Sequence, residues 1–238
     1  MVATDLLDEL AAAPEQAALL LDFDGVLAPI VPRPEDAAMP AETRAELERL
    51  VDRYALVGIV SGRGGDDVRA RVGIDAMVYV GSHGLELNPE AEHWVQRLSD
   101  FASDVAWPAE NKRLTLAFHY RGVDDERAAV RELEEVADRA READLVARFG
   151  RKVLEVLPPL AADKGTAVRH LLEERGLHRA LVAGDDTTDL DAFRAIDGLE
   201  VAVRVAVVSP EAPSVLREWS DLVVETPLEF RESVLARL

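Results

Sequence analysis

The chain contains no cysteine, and only three of its 27 basic residues are lysine, namely Lys112, Lys152 and Lys164. Without cysteine there can be neither a disulfide framework nor a thiolate metal ligand, and the composition is compatible with a reducing compartment. No apolar run approaches the roughly 18–20 residues that cross a bilayer, and the N-terminus carries acids where a signal peptide carries basic residues. We therefore expect a cytoplasmic protein with no membrane partner.

Basic residues are also scarce relative to acids, 27 against 46, and the formal net charge is −19. Nucleic acids and anionic membranes attract proteins through basic residues, so we expect no nucleic-acid partner. Dispersed acid with little lysine fits a halophilic protein, whose self-repulsion salt screens. A GC-rich genome would explain the few lysines but not the many acids.

Alternating apolar runs and helical patterns predict the fold class. The 238 residues suffice for one core and a smaller inserted unit. Five apolar runs, each ending in glycine or a polar residue, are typical of buried parallel strands: AALLLDFDG, YALVGIVSGR, AMVYVGSHG, RALVAGDD and LEVAVRV. Amphipathic helices such as AETRAELERLVDR and KGTAVRHLLEERG lie between them. We predict an α/β fold with a doubly wound parallel sheet, whose ligands bind beyond the carboxyl ends of the strands.

The middle of the chain follows another pattern. RLTLAFHYR alternates like a half-exposed strand, residues 125–142 form a charged helical pattern, and residues 143–158 read as a hairpin turning at Phe149-Gly150-Arg151. We therefore predict a smaller α+β domain at 85–160, inserted between the two parts of the core domain at 1–84 and 161–238.

Asp22 and Asp24 follow the first predicted strand in DFDG. Side chains two apart on a strand point the same way, so both carboxylates would share one small site. Close like charges are unfavourable unless a cation neutralises them, and oxygen ligands suit magnesium. One carboxylate could then attack phosphorus while the other transfers protons. The alternative is that these acids only cap a following turn or helix.

Three further motifs follow predicted strands or open a predicted helix. GDDTTDLDAF places Asp185, Asp186 and Asp189 after RALVA, either as a metal cluster or as acids at a helix N-terminus. IVSGR offers the Ser61 hydroxyl, the Gly62 amide and the Arg63 side chain to an anion. Lys164 in DKG stands at a helix start, which is unfavourable for a cation and indicates an anionic partner or a pair with Asp163 or Asp186.

In the order DFDG, SGR, DKG and GDDxTD, these motifs resemble those of the haloacid dehalogenase superfamily of phosphotransferases. The resemblance implies that Asp22 is the nucleophile and Asp24 the general acid and base. It also implies that Ser61 and Lys164 hold the phosphoryl oxygens. The implied cofactor is Mg²⁺, bound by Asp22, by the backbone carbonyl of Asp24 and by Asp185, with Asp189 orienting a water on the metal.

The insert resembles a type IIB cap of that superfamily. With GSHG, ENK, HYR and GRKVLEV, the chain is similar to the trehalose-6-phosphate phosphatase family. The resemblance implies a small sugar phosphate as the partner and substrate contacts beyond Gly62 and Arg63. The residues carried over for these contacts are His83, Lys112, Arg121 and Glu155. We expect a monomer, although the sequence itself carries no signal of oligomeric state. The chain departs from the family pattern at Leu157, where arginine is usual, and at Leu190, where glutamate is usual.

The sequence leaves other functions open. Related caps serve sucrose phosphate, glucosylglycerol phosphate and mannosylglycerate phosphate. The same scaffold could carry a phosphomutase or a broad sugar-phosphate phosphatase. From other classes, a sugar-phosphate sensor without turnover and a metal-binding structural protein are possible, but neither needs a nucleophile beside a general acid.

Overall fold

The structure is a computed structural model that describes residues 3–150, 152–209 and 212–238. The chain divides into two compact units. One comprises the residues up to Gly84 together with Ala162–Leu238, and the other is the inserted segment Leu85–Ala161.

The larger unit contains a six-stranded sheet in which every neighbouring pair of strands is parallel. The strands are β1 (Ala17–Leu21), β2 (Leu56–Val60), β3 (Val78–Val80), β8 (Arg179–Gly184), β9 (Val201–Val207) and β10 (Leu222–Val224). Their order in the sheet is β10-β9-β8-β1-β2-β3. The five apolar runs are confirmed as strands, whereas β10 was not predicted because its run is only three residues long.

Helices cover both faces of this sheet. They are α1 (Ala3–Ala11), α2 (Ala41–Val51), α3 (Gly65–Val72), α6 (Lys164–Arg175), α7 (Asp189–Ala195), α8 (Val215–Glu218) and α9 (Pro227–Ser233). Residues of β1 alternate between the two faces: Leu19 and Leu21 pack with α1, α2, α3 and α9, while Ala18 and Leu20 pack with α6, α7 and α8. The predicted doubly wound α/β fold is therefore confirmed.

Helix α6 has well-defined ends. The Asp163 carboxylate accepts a hydrogen bond from the Thr166 amide, and the Thr166 hydroxyl accepts one from the Asp163 amide, which completes a capping box. Gly176 ends the helix in the left-handed conformation. These caps fix the position of Lys164, the first residue of the helix.

The described residues of the inserted unit form an antiparallel four-stranded sheet and two α-helices. These elements are α4 (Val95–Ser103), β4 (Glu110–Asn111), β5 (Leu116–His119), α5 (Glu126–Glu142), β6 (Val146–Gly150) and β7 (Val153–Leu157). The strand order is β4-β5-β7-β6. Helices α4 and α5 pack on the sheet face that carries Leu116, Phe118, Leu154 and Val156. The predicted hairpin is confirmed by the pairing of β6 with β7, although Arg151 of its turn lies outside the described residues.

None of the helices in the described ranges combines the length and apolar character that crossing a membrane requires.

Candidate active site

The register of three neighbouring strands brings the predicted motifs together. Leu21, the last residue of β1, lies beside Ile59 of β2 and Ala183 of β8. Asp22, Ser61 and Asp185 follow directly after these strands, so their side chains meet at the same edge of the sheet. All three residues are buried.

Lys164 lies among these carboxylates. Its Nζ is 2.7 Å from Asp22 Oδ2 and 2.7 Å from Asp189 Oδ1, and both ion pairs are buried. The two pairs that the sequence offered as alternatives, with Asp163 and Asp186, are not the ones formed. Asp163 caps the helix instead, and its capping bond turns its carboxylate toward the Thr166 amide.

Asp189 organises the loop after β8. Its Oδ2 accepts hydrogen bonds from the amides of Asp185 at 2.9 Å and Asp186 at 3.0 Å, while Oδ1 accepts one from Lys164 at 2.7 Å. Both oxygens of this carboxylate are therefore bound to groups of the protein. The sequence predicted that Asp189 lies near a metal, but it did not predict that Asp189 links the loop after β8 to Lys164.

Two glycines allow this close packing. A Cβ at Gly25 would lie 2.1 Å from Asp185 Oδ2, and one at Gly184 would lie 2.2 Å from the Asp189 side chain. Gly25 also has a φ of +79°, which side-chain-bearing residues rarely adopt. Any larger residue at either position would displace a carboxylate of the site.

Burial and mutual repulsion shape the charges of the cluster. Burial raises the pKa of Asp22 from 3.8 to about 6, although Lys164 opposes the shift. Burial alone would lower the pKa of Lys164, but the attraction of Asp189 and Asp22 exceeds this effect and raises it. Lys164 therefore stays charged, while Asp22 is an unusually basic carboxylate.

The cluster fits a divalent cation. Asp22, Asp185 and Asp189 each offer a carboxylate oxygen, and these atoms lie within 4.8 Å of one another. Lys164 balances one of the three negative charges, and a divalent cation would balance the other two. A set made only of oxygen donors suits a hard cation such as Mg²⁺.

Asp24 and Arg63 form a pair beside this cluster. Arg63 Nε donates to Asp24 Oδ2 at 2.6 Å, and Nη2 donates to Asp24 Oδ1 at 2.9 Å. The same guanidinium donates to Asp67 Oδ2 at 3.1 Å and to the Pro34 carbonyl at 2.8 Å. We predicted that Arg63 would contact an anion of the substrate, whereas here its guanidinium binds the carboxylate of Asp24.

The segments 61–63 and 81–84 are joined by backbone hydrogen bonds. The Ser82 amide donates to the Arg63 carbonyl at 2.7 Å, and the His83 amide donates to the Ser61 carbonyl at 2.9 Å. Ser82 and His83 have φ of 51° and 55°, so two consecutive non-glycine residues are left-handed. A Cβ at Gly62 would lie 2.6 Å from the His83 ring, which places the imidazole against the Gly62 backbone.

The remaining predicted substrate contacts lie in the inserted unit. Lys112 Nζ is 3.7 Å from Glu155 Oε1, and both side chains are largely buried. Arg121 lies in a turn two residues after the end of β5. Within this unit the structure thus brings Lys112 and Glu155 together.

Both residues that depart from the family pattern are buried. Leu157 is the last residue of β7 and is 2% exposed. Leu190 is 8% exposed and packs in the core between the sheet and α6. Leu190 thus contributes to the core of its unit, whereas Leu157 follows Val156 on β7 and is not part of the core between the sheet and α4 and α5.

Comparisons with known proteins identify the family. The model of the family described as Trehalose-phosphatase matches residues 20–108 and 108–220. The trehalose-phosphate phosphatase of Mycobacterium marinum is 35% identical over 211 residues, covering 79% of this chain and 53% of that protein. A probable trehalose-phosphate phosphatase of Oryza sativa subsp. japonica is 33% identical over 205 residues, covering 75% and 55%.

The chain therefore spans about half the length of these two relatives. It also matches an uncharacterized glycosyl hydrolase of Mycobacterium tuberculosis at 36% identity, covering 79% of this chain but only 16% of that protein. In each case the relative extends well beyond the matched region.

Solved structures share the fold. The C-terminal domain of the Candida albicans trehalose-6-phosphate phosphatase matches with a TM-score of 0.75 at 21% identity, covering 100% of this chain and 95% of that one. A trehalose-6-phosphate phosphatase related protein matches with a TM-score of 0.70 at 24% identity, covering 91% and 95%. With the motif geometry and the family match over most of its length, the chain belongs to the trehalose-phosphatase family.

Proposed function

We propose that this chain hydrolyses trehalose 6-phosphate to trehalose and phosphate, with Mg²⁺ as cofactor and Asp22 as covalent nucleophile. The observation that carries the proposal is the buried contact of Asp22 with Lys164, beside Asp185 and Asp189, at the carboxyl edge of the sheet. Family membership supports the reaction class, and the names of the relatives support the substrate.

In the first step, an Asp22 carboxylate oxygen attacks phosphorus and the bond from phosphorus to the sugar oxygen breaks. The electron pair stays on the sugar oxygen, which takes a proton from Asp24. Water then attacks the aspartyl phosphate and gives a proton to Asp24, while the bond between phosphorus and Asp22 breaks and restores the carboxylate. The sum is one ester and one water converted to one alcohol and one phosphate.

The other groups hold charge and position. Lys164 and the Ser61 hydroxyl would bind phosphoryl oxygens, since Lys164 at the start of α6 contacts Asp22 and Ser61 directly follows β2 at the same edge of the sheet. Mg²⁺, when bound, would neutralise charge on the phosphoryl group. It would be held by Asp22, Asp185 and the Asp24 carbonyl. Asp189 would keep Lys164 and the Asp185 loop in place through its three hydrogen bonds.

The inserted unit would act as the cap that selects the sugar. Lys112 Nζ and Glu155 Oε1 lie 3.7 Å apart. They would supply a hydrogen-bond donor and an acceptor to the hydroxyl groups of a disaccharide. His83 and Arg121 remain predicted contacts. Leu190 packs in the core and Leu157 is buried at the end of β7, and both would be tolerated departures from the family pattern.

A phosphate-release screen tests the proposal. With Mg²⁺ and high salt, we expect trehalose 6-phosphate to be preferred over sucrose 6-phosphate, glucosylglycerol phosphate, mannosylglycerate phosphate and glucose 6-phosphate. Chelator should abolish release, and added Mg²⁺ should restore it. Preference for another ester would reject the proposed substrate, and no release from any ester would favour the sensor.

A matched pair of lysine variants tests the role of the cap. Lys112→Gln should raise KM for the disaccharide roughly tenfold or more, because a charged contact is lost. Lys152→Gln makes the same charge change in the same unit but removes a pair with Glu126 instead. It should leave KM unchanged, and equal effects of the two variants would argue against a substrate contact at Lys112.

A further inference from the structure

Arg63 takes no direct part in the proposed proton transfers, but its guanidinium binds Asp24, the residue that makes them. Its guanidinium makes four hydrogen bonds to three partners, and its side chain is only 8% exposed. Asp67 and the Pro34 carbonyl fix the guanidinium, whose carbon also lies 5.5 Å from the centre of the buried Phe23 ring. Contacts other than those with Asp24 therefore hold the Arg63 guanidinium in place.

The pair with Asp24 has the fork geometry that fixes a carboxylate plane. Two adjacent guanidinium nitrogens meet the two carboxylate oxygens at 2.6 and 2.9 Å. A bidentate pair defines orientation as well as distance, which a single contact from lysine cannot do. The Asp24 side chain retains 32% exposure, so it stays accessible while it is held.

From this geometry we infer that Arg63 is the positioning residue of the general acid and base: it orients the Asp24 carboxyl toward the leaving oxygen and does not itself bind the phosphoryl group. The inference rests on the proposed function. When Asp24 carries the proton, one oxygen can keep its bond to Arg63 and leave the hydroxyl directed at the ester. Loss of the fork would free the carboxyl to rotate.

Leaving-group dependence separates this role from a structural or substrate-binding one. Trehalose is a poor leaving group because its alkoxide is strongly basic, so its oxygen needs a proton from Asp24. The 4-nitrophenolate ion is weakly basic and leaves without a proton. The ratio of kcat/KM for the two esters, measured in the same preparation, reports assistance to the first step and cancels differences in folded fraction. Phosphoryl contacts are common to both esters and cancel as well.

Arg63→Gln is the test variant. We expect kcat/KM for trehalose 6-phosphate to fall roughly 100-fold and that for 4-nitrophenyl phosphate to fall less than about fivefold, within the range of general acid catalysis. Arg63→Lys should show the same selectivity to a smaller extent. An equal loss on both esters would overturn the inference, and an equal rise of KM on both would assign Arg63 to the phosphoryl group.

Arg71→Gln is the matched control. Arg71 also pairs with Asp67 and donates to backbone carbonyls, at Glu35 and Ala37, whereas the fork on Asp24 comes from Arg63. The ratio for Arg71→Gln should equal that of the unaltered chain. The same selective loss in Arg71→Gln would mean that the whole cluster, not the fork, is responsible.

A crystal structure of Arg63→Lys provides a second readout that does not depend on turnover. We expect the Asp24 carboxylate to leave its original orientation, and an unchanged carboxylate would overturn the inference. Failure of the proposed function would be seen differently. The unaltered chain would release no phosphate, or Asp22→Asn would retain activity, whatever happens at Arg63.

Discussion

Asp22 shows how a single residue of the site opposes stability. Its carboxylate is buried beside Asp189 and near Asp24, and one lysine is shared between it and Asp189. The fold therefore stabilises the charge of Asp22 less well than water does. Such a conflict is expected where a nucleophile must be held ready for reaction.

The raised pKa of Asp22 predicts the sign of a pH effect. Between its ordinary value of 3.8 and about 6, the folded chain binds a proton at Asp22 more readily than the unfolded chain does. This residue thus costs stability as pH rises through that window, and the cost is complete above it. Because one unit of pKa corresponds to about 1.4 kcal/mol, the cost at pH 7 is about 1–3 kcal/mol.

Asp22→Asn should remove that cost along with catalysis. In chelator at pH 7, we expect the variant to melt at a higher temperature than the unaltered chain, with the difference shrinking as the pH is lowered toward the ordinary pKa of the carboxyl. Thermal denaturation followed by circular dichroism measures both. Asp75→Asn, at a fully exposed acid of the same unit, is the control and should change little. A less stable Asp22→Asn at pH 7 would contradict the argument.

At the scale of elements, the turn after β1 depends on a glycine for two separable reasons. Gly25 and Gly198 have nearly equal positive φ, +79° and +82°. A Cβ at Gly25 would lie 2.1 Å from Asp185 Oδ2, whereas at Gly198 it would meet nothing within 4 Å among the described residues. The two positions therefore share backbone strain but differ in what a side chain would displace.

Gly25→Ala and Gly198→Ala should separate these effects. Each variant should lose about 1 kcal/mol of unfolding free energy to backbone strain, because alanine is strained at positive φ, and Gly25→Ala should lose more because its Cβ also displaces Asp185. Only Gly25→Ala should also lose Mg²⁺ affinity, by roughly tenfold, since Asp185 must move. Urea denaturation in chelator and calorimetric Mg²⁺ titration measure the two quantities. Equal Mg²⁺ affinities in the two variants would show that Asp185 does not need its present position.

The elements were predictable from sequence because their signals are local. Apolar runs located β1, β2, β3, β8 and β9, and the amphipathic pattern KGTAVRHLLEERG located α6. The edge of the sheet at which Asp22, Ser61 and Asp185 meet followed from the fold class. Strand β10 was missed because three residues carry too little pattern.

The side-chain partners were not predictable in the same way. Lys164 pairs with Asp189 across 25 positions, and Arg63 pairs with Asp24 across 39. From the sequence we predicted that Lys164 pairs with Asp163 or Asp186 and that Arg63 contacts an anion of the substrate. The actual contacts depend on the register of the strands, which is set only in the folded sheet. The motif order indicated which residues meet, while their hydrogen bonds required the structure.

At the scale of the whole molecule, the excess of acidic over basic residues dominates the electrostatics. The chain carries 46 acids and 27 basic residues, so even complete pairing would leave 19 acids unbalanced. Many of the ion pairs join exposed arginines to acids three or four positions away, as in Arg44–Glu48 and Arg194–Asp191. Such exposed pairs contribute little each, about 0–1 kcal/mol, so their loss to screening is small.

Salt should therefore stabilise the molecule. Raising KCl from about 20 mM to 1 M shortens the screening length from roughly 20 Å to 3 Å and should suppress the repulsion between unbalanced acids. We expect a clear rise in melting temperature, measured by differential scanning calorimetry with sucrose as an uncharged control.

A matched variant with Glu132, Glu134 and Glu135 of α5 changed to glutamine removes three acids from this helix. It should be more stable in low salt and less responsive to KCl. A flat response in the unaltered chain would mean that its acids are spaced widely enough not to repel one another, and that its composition is no adaptation to salt.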